Sequence, residues 1–189
     1  MKKQSTFLYV LRLAVTLLLI SAITAGALAW INSITEERIA AEKAKKTAQA
    51  LSAVLPDADT AVELEEFPND SGIITTVYAS DSGYAVQVAP AGFGGTISMM
   101  VGVDKEGNIL GVSVVSHTET AGLGAVAGDK SSKGEAFRSQ YEGLSGELAV
   151  TKDGGTIDAI SGATITSRAV TEGVNAATAC AAKLAANQG

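Results

Sequence analysis

The sequence predicts an α+β fold, in which an antiparallel sheet with packed helices is attached to a single N-terminal transmembrane helix. Three patterns predict it: an uncharged run from Leu13 to Ile31, a strand-like alternation from Ile97 to Ser116, and an amphipathic helical pattern after Arg168. A sheet with an apolar face must be covered, and helices are the segments of this chain that can cover it.

The N-terminal run from Leu13 to Ile31 contains 19 residues without a charge. As a helix it would be roughly 28 Å long, about the thickness of the hydrocarbon core of a bilayer. Lys2, Lys3 and Arg12 precede it, and Trp30 stands where an interfacial anchor is expected. The positive-inside rule therefore predicts a single-pass protein of the cell (inner or cytoplasmic) membrane, with the N-terminus in the cytoplasm and the rest of the chain outside.

A cleaved signal peptide is the alternative, because Ala27-Leu28-Ala29 resembles a cleavage site. The apolar run is longer than the core of a usual signal peptide, and helical sequence continues directly from it. These two features favour an uncleaved anchor.

The segment after the anchor is predicted to be a helical stalk. Ser33 to Leu55 is rich in Ala, Glu and Lys at helical spacing, and Pro56 ends it. Asp57 to Asp70 is acidic and irregular. The predicted divisions are residues 1–32 for the cytoplasmic start and anchor, 33–70 for the stalk and linker, and 71–189 for an extracytoplasmic domain.

Short runs of β-branched, aromatic and alternating residues predict the strands of that domain. The predicted strands are Ile73–Tyr78, Tyr84–Val88, Ile97–Val103, Ile109–Ser116 and a short one at Leu148–Val150. A short helix is predicted over Lys130–Tyr141. After Arg168, a stripe of apolar residues at steps of three and four predicts a long C-terminal helix: Val170, Val174, Ala177, Ala181 and Leu184.

Two glycine-rich loops and one turn are candidates for a site. The loops are Pro90–Gly95 and Glu119–Gly124. Their backbone N–H groups can approach a ligand closely; the alternative is that the glycines only bend the chain. The turn, Asp158 to Ser167, opens the last helix, with Thr166 or Ser167 as the expected N-cap. A helix start is a seat for a phosphate, to which Arg168 would add hydrogen bonds; an ordinary capped turn is the alternative.

The residues of these three segments resemble the motifs of the FMN-binding domain family. Asp158-x-x-Ser161-Gly162-Ala163-Thr164 is similar to its flavinylation motif. Gly92-Phe93-Gly94 and Glu119-Thr120-Ala121-Gly122-Leu123-Gly124 resemble its two glycine loops, with alanine where the family usually has proline. In that family a flavin transferase links FMN through its phosphate to the last threonine of the motif. The resemblance therefore implies FMN bound covalently by a phosphoester to Thr164.

The resemblance also implies the rest of the cofactor site. The implied ring and ribityl contacts are Glu119, Thr120, Gly122, Leu123 and Gly124. The implied neighbours of the phosphate are Thr166, Ser167 and Arg168, beside the motif residues Ser161, Gly162 and Ala163, and Asp158 belongs to the part that the transferase recognises. Phe93, Phe137 and Tyr141 are predicted to lie in the core, with a flanking position at the flavin ring as the alternative.

Composition narrows the classes of function. The formal net charge of −6 argues against a nucleic-acid surface. His117 is the only histidine, so no histidine cluster is available for a metal or a catalytic dyad. Cys180 is the only cysteine, which excludes an internal disulfide and favours a buried position on the last helix. We therefore predict neither a metal site nor catalytic residues of the chain's own.

A short chain with one membrane anchor and an outward-facing flavinylated domain resembles the G subunits of Rnf electron transport complexes. This implies an electron-relay component of a membrane-bound, ion-translocating ferredoxin:NAD oxidoreductase of six subunits, matured by a flavin transferase and embedded in membrane lipid. A C subunit of a sodium-pumping NADH–quinone reductase is an alternative, although those chains are usually longer. A stand-alone extracytoplasmic flavoprotein is another, although it would need acid–base residues of its own.

Overall fold

The computed structural model describes residues 2–187, and the chain divides after Lys45 into two units. The first unit is the greater part of a single long helix, α1 (Lys2–Val54). The second unit begins at Lys46 and holds the end of α1 with the remaining elements.

Helix α1 contains a segment long and apolar enough to cross a membrane. This candidate span covers Phe7–Val54, with a mean hydropathy of 2.1 in its most apolar window. Inside the uncharged run, the hydroxyl groups of Thr16 and Thr24 donate to the carbonyl oxygens of Arg12 and Ile20, at 2.6 and 2.9 Å. Polar side chains that bond the preceding turn of their own helix present little uncompensated polarity to lipid. The predicted long apolar N-terminal helix is confirmed.

Five antiparallel strands form one sheet, in which each strand pairs with its neighbours along the chain. They are β1 (Val62–Glu63), β2 (Ile74–Ala79), β3 (Gly83–Val88), β4 (Ser98–Asp104) and β5 (Ile109–Ser116). The register aligns Val86 with Val101 and Val101 with Val112, so that the β-branched residues of three strands lie on one face.

The sheet differs from the prediction in two places. Strand β1 lies in the segment expected to be irregular, where Val62 pairs with Ala79 at the sheet edge. No strand forms at Leu148–Val150 in the described residues; Val150 instead makes one parallel bridge with Ile157. The chain turns immediately after this bridge, which leaves no length for a ladder.

Helix α3 (Thr164–Asn187) covers one face of the sheet. The predicted apolar stripe is buried along its whole length: Val170, Val174, Ala177, Ala181 and Leu184. Cys180 is buried beside it as a free thiol, as predicted. Gly173 permits the close contact, since a Cβ atom there would lie 2.3 Å from Met99 Cε.

The end of α1, within the second unit, covers the other face. Val54 and Leu55 are buried with Met100 of β4 in a second, smaller core cluster. Gly102 lies beneath the helix end, where a Cβ atom would come within 2.1 Å of the carbonyl oxygen of Val54. Strand β4 is therefore covered on both faces. The face of Met99 packs against α3, and the face of Met100 and Gly102 packs against the end of α1.

Helix α2 (Ser132–Ser139) and the turn after it add two aromatic residues to the larger core cluster. Phe137 and Tyr141 are buried edge to face, with ring centres 5.7 Å apart. The Tyr141 hydroxyl group shares a hydrogen bond of 2.8 Å with Thr171 of α3, and burial raises the pKa of Tyr141 to about 12. Both aromatic residues lie in the core, as predicted, and are not available to flank a cofactor.

Candidate cofactor site

Three segments distant in sequence meet around one cavity of about 330 Å³. They are the loop between β3 and β4, the loop after β5 and the start of α3. Its lining residues are Phe93, Glu119, Thr120, Leu123, Gly124, Gly162, Ala163, Thr164, Ile165 and Thr166. This volume is at the lower end of the range of small-molecule sites.

A buried carboxylate joins the three segments. Glu119 is 8% exposed, and its Oε1 accepts a hydrogen bond of 2.7 Å from the Gly94 amide. Its Oε2 accepts a hydrogen bond of 2.5 Å from the hydroxyl group of Thr166 on α3. The neighbouring Thr118 hydroxyl group donates to the Gly94 carbonyl oxygen at 2.9 Å. Both carboxylate oxygens are thus engaged in holding the walls of the cavity.

The glycines of the two loops make room for this carboxylate. A Cβ atom at Gly92 would lie 2.4 Å from Glu119 Oε1, and one at Gly124 would lie 2.3 Å from Glu119 Oε2. A Cβ atom at Gly94 would lie 2.4 Å from the Thr118 carbonyl oxygen. The sequence left two roles open for these glycines, close approach to a ligand or a simple bend in the chain. In the structure they allow the loops to close on Glu119.

Two turns of the same type form one wall of the cavity. In the turns Thr120–Leu123 and Ile160–Ala163, the last amide donates to the first carbonyl oxygen, at 3.1 and 2.9 Å. The third residues, Gly122 and Gly162, have φ of 75° and 76°, as a type II turn requires. A Cβ atom at Gly162 would lie 3.1 Å from Leu123 Cδ2, so the two turns pack against each other.

Helix α3 begins at Thr164, two residues before the first expected cap. The prediction of Thr166 or Ser167 as N-cap is wrong, because the turn ending at Ala163 leads directly into the helix. The Ser167 hydroxyl group donates to the Ala163 carbonyl oxygen and accepts from the Ile160 amide, both at 3.0 Å. Thr164 therefore lies in the first helical turn, where backbone N–H groups have no partner within the helix.

A lysine from another segment reaches the hydroxyl group of Thr164. Lys152 lies on the 3-10 turn Thr151–Asp153, and its Nζ donates to Thr164 Oγ1 at 3.0 Å. The next residue, Asp153, receives two hydrogen bonds of 2.6 Å from the Arg168 guanidinium. This pairing holds the pKa of Asp153 below its ordinary value. Arg168 is thus engaged by a carboxylate, and Lys152 is the cation in contact with Thr164.

The rim of the cavity is apolar and exposed. Phe93, Leu123 and Ile165 are 70%, 43% and 51% exposed. Phe93 was predicted to lie in the core; that prediction is wrong, because the bond from Gly94 to Glu119 holds its loop at the cavity. An apolar rim beside a hydroxyl group, a helix start and an ammonium group fits a ligand with a flat ring at one end and a phosphate at the other.

Comparison with known proteins agrees with this chemistry. Residues 92–179 match the FMN-binding domain family, and residues 1–54 match the RnfG N-terminal region. The G subunit of the Na(+)-translocating ferredoxin:NAD(+) oxidoreductase complex of Acetobacterium woodii is 33% identical over 92% of each chain. The chain belongs to this RnfG family.

Two further members of the family show the same extent of similarity. The G subunit of the ion-translocating oxidoreductase complex of Stutzerimonas stutzeri is 36% identical, over 85% of this chain and 76% of its own. The corresponding protein of Methanosarcina acetivorans is 32% identical, over 88% of this chain and 91% of its own. The family predicted from the three motifs is confirmed, and the FMN-binding domain supports FMN as its ligand.

Within this member of the RnfG family, most of the residues predicted for the site line the cavity. The exceptions lie around it: Asp158, Ser161 and Gly122 on exposed turns, Ser167 buried behind the helix start, and Arg168 in its pair with Asp153. Sequence reasoning missed Lys152 and Ile165. Nothing in the sequence places Lys152 near Thr164. Ile165, by contrast, follows Thr164 directly and lies within the turn from Asp158 to Ser167 that the sequence had already indicated.

Proposed function

We propose that this protein carries FMN in the cavity, bound by a phosphoester to Thr164, and relays electrons within an ion-translocating ferredoxin:NAD oxidoreductase complex. One observation carries the proposal: Thr164 lines a cavity at a helix start, within the part of the chain that matches FMN-binding domains. FMN supplies the chemistry, because it can exchange electrons singly or in pairs.

The residues of the chain bind and orient the cofactor. The backbone N–H groups at the start of α3 would hold the phosphate, whose charge the helix dipole favours. The exposed apolar side chains of Phe93, Leu123 and Ile165 would contact the ring and limit the access of water to it. Glu119 holds the two loops against α3 and so keeps the rim in place.

Attachment requires an activated flavin phosphate delivered by a flavin transferase. The Thr164 Oγ1 atom forms a bond to the phosphorus of the flavin phosphate, and the donor's leaving group departs with the electron pair of its own bond to that phosphorus. The proton of the hydroxyl group passes to the departing leaving group or to solvent, so the step needs no oxidant or reductant. The exposed positions of Asp158 and Ser161 suit recognition of the motif by such an enzyme. A covalent link also suits a domain outside the cytoplasm, where no pool of FMN would replace a lost cofactor.

The proposed topology places residues 1–32 at and in the cell membrane with the N-terminus in the cytoplasm, residues 33–70 as stalk and linker, and residues 71–189 outside. The basic residues Lys2, Lys3 and Arg12 ahead of the apolar run support this orientation. The relatives are named as subunits of oxidoreductase complexes, which supports partner subunits for this chain. The proposed number of five further subunits follows from the resemblance to Rnf complexes.

The test of attachment is the intact mass of the full-length protein purified from its native membrane. Wild type and a Thr156→Ala control, altered at an exposed hydroxyl residue nearby, should both show an increment equal to FMN less one water. Thr164→Ala should lack it. An increment that persists in Thr164→Ala would move the link elsewhere, and its absence from wild type would refute the covalent cofactor.

Membership of a complex has its own test. Mild solubilisation of the native membrane and capture of this chain should recover five other subunits in constant proportion. A flavoprotein recovered alone under conditions that preserve other membrane complexes would contradict the relay function and favour a stand-alone flavoprotein.

A further inference from the structure

We propose that Lys152 is the side chain that binds the flavin phosphate, with its ammonium group paired to the phosphodiester at Thr164. The inference rests on the proposed attachment of FMN to Thr164. Lys152 Nζ lies 3.0 Å from Thr164 Oγ1, which is the atom that becomes the ester oxygen. The charged oxygens of a phosphodiester share their phosphorus atom with that oxygen, so an ammonium group at Oγ1 lies next to the charge.

The turn that carries Lys152 is fixed by its own backbone bonds. The Thr151 amide donates to the Ile157 carbonyl oxygen at 2.8 Å, beside the bridge between Val150 and Ile157. Gly155 allows the turn to fold back closely, since a Cβ atom there would lie 2.0 Å from the Ala149 carbonyl oxygen. The lysine is therefore presented to Thr164 by an ordered segment.

Arg168 acts on the phosphate indirectly, through its contact with Asp153. Its two bonds to Asp153 join α3 to the turn that presents Lys152, and they direct its charge to a carboxylate. The sequence had predicted Arg168, together with Thr166 and Ser167, as a neighbour of the phosphate. The geometry assigns binding of the phosphate to Lys152 and gives Arg168 and Asp153 the role of positioning residues.

The first test measures the reactivity of the lysine amine. Full-length protein produced with and without flavin transferase is treated with an amine-acylating reagent, and the labelling of each lysine is followed by peptide mass. Pairing with a phosphate should slow the labelling of Lys152 by roughly two- to fivefold, the range expected for an exposed ion pair. Lys105, exposed on the turn between β4 and β5, should label equally in both samples. Equal labelling of Lys152 would overturn the proposal.

The second test separates charge from shielding by the bound flavin. Full-length Lys152→Met and Lys152→Arg are exposed to transferase and donor, and the gain of the FMN increment is followed in time. Lys152→Met should acquire the added mass of FMN roughly two- to fivefold more slowly than wild type. Lys152→Arg and the control Lys105→Met should acquire it at the wild-type rate. The deficit of Lys152→Met should shrink at high salt, because salt screens exposed charges.

The outcomes distinguish this inference from the proposed function. A wild-type rate for Lys152→Met, or a deficit that salt leaves unchanged, refutes the role of Lys152 while attachment at Thr164 stands. A wild-type protein that never gains the increment refutes attachment itself.

Discussion

Glu119 links three chain segments through two hydrogen bonds to its carboxylate. The donors, the Gly94 amide and the Thr166 hydroxyl group, lie 25 and 47 residues away in the sequence. A buried acceptor of this kind is costly to remove, because the Thr166 hydroxyl group is itself buried and then loses its partner without access to water.

Glu119→Ala should therefore lower the free energy of unfolding by about 2 kcal/mol, since two donors lose a charged partner. The measurement is denaturant unfolding of the full-length protein in detergent. Glu147→Ala removes an exposed carboxylate and should leave the free energy of unfolding close to that of wild type. Equal values for the two variants would show that Glu119 does not hold the loops together.

Asp57, three residues after the end of α1, is hydrogen-bonded to the turn between β2 and β3. Its carboxylate accepts hydrogen bonds from the Ser82 hydroxyl group and, at 3.0 Å, from the Ser82 amide. The hydroxyl bond is the main cause that lowers the pKa of Asp57 from 3.8 to about 2. A depressed pKa in the folded state stabilises the protein above pH 3.8, and this stabilisation is lost as the pH falls from 3.8 to about 2.

Ser82→Ala should return the pKa of Asp57 towards 3.8 and move acid unfolding to higher pH. Carboxyl carbon NMR would follow the pKa, and circular dichroism would follow unfolding. Ser145→Ala, at an exposed serine elsewhere, should leave both unchanged. A Ser82→Ala protein with an unaltered Asp57 pKa would contradict the assigned cause.

The functional residues differ in how readily they can be identified from the sequence. Thr164 is identifiable because its motif is continuous in the chain. Lys152 and Glu119 act through contacts with residues 12 and 47 positions away, and no local pattern specifies such contacts.

At the scale of elements, the two type II turns decide the shape of the site. In the turn Thr120–Leu123, Ala121 occupies the second position, where proline is favoured in turns of this type because its φ is already set. The motif of the FMN-binding domain family has proline at this position, which agrees with the observed geometry.

Ala121→Pro should raise the free energy of unfolding by about 0.4–1 kcal/mol, because proline restricts the unfolded chain without straining this turn. Thermal unfolding of the full-length protein in detergent is the measurement.

Gly122→Ala supplies the contrasting change in the same turn. It forces a residue with a Cβ atom to φ of 75° and should destabilise the protein by about 1–2 kcal/mol. A destabilising Ala121→Pro or a neutral Gly122→Ala would mean that the turn is not of type II in solution.

The secondary structure followed the sequence patterns except where turns intervene. The strands β2 to β5 and the stripe of α3 were predicted because alternation and helical spacing are local properties. The start of α3 was misplaced because the hydroxyl groups of Thr166 and Ser167 bond tertiary partners and the preceding turn, and do not cap the helix.

At the scale of the whole molecule, the prediction concerns the side of the membrane on which the residues after the apolar run of α1 lie. Protease added to spheroplasts should degrade the domain of residues 71–189, because the proposed topology, based on the basic residues ahead of the apolar run, places this domain outside the cytoplasm. The measurement is immunoblotting for the C-terminal part.

An epitope tag placed after Met1 should stay protected until the membrane is permeabilised. Protection of the C-terminal part in intact spheroplasts would reverse the proposed orientation. A mature protein that begins at Trp30 would show instead that the apolar run is a cleaved signal peptide.

The sequence by itself determined the apolar helix, the main strands, the apolar stripe of α3 and the family, because periodicity, run length and short motifs are written in consecutive residues. Only the tertiary structure decided that β4 is covered on both faces and that Phe93 borders the cavity. It also showed that Glu119 joins the loops and that Lys152 reaches Thr164 while Arg168 pairs with Asp153. These features depend on which distant segments meet when the sheet and helices pack, and that choice of partners is a property of the whole chain.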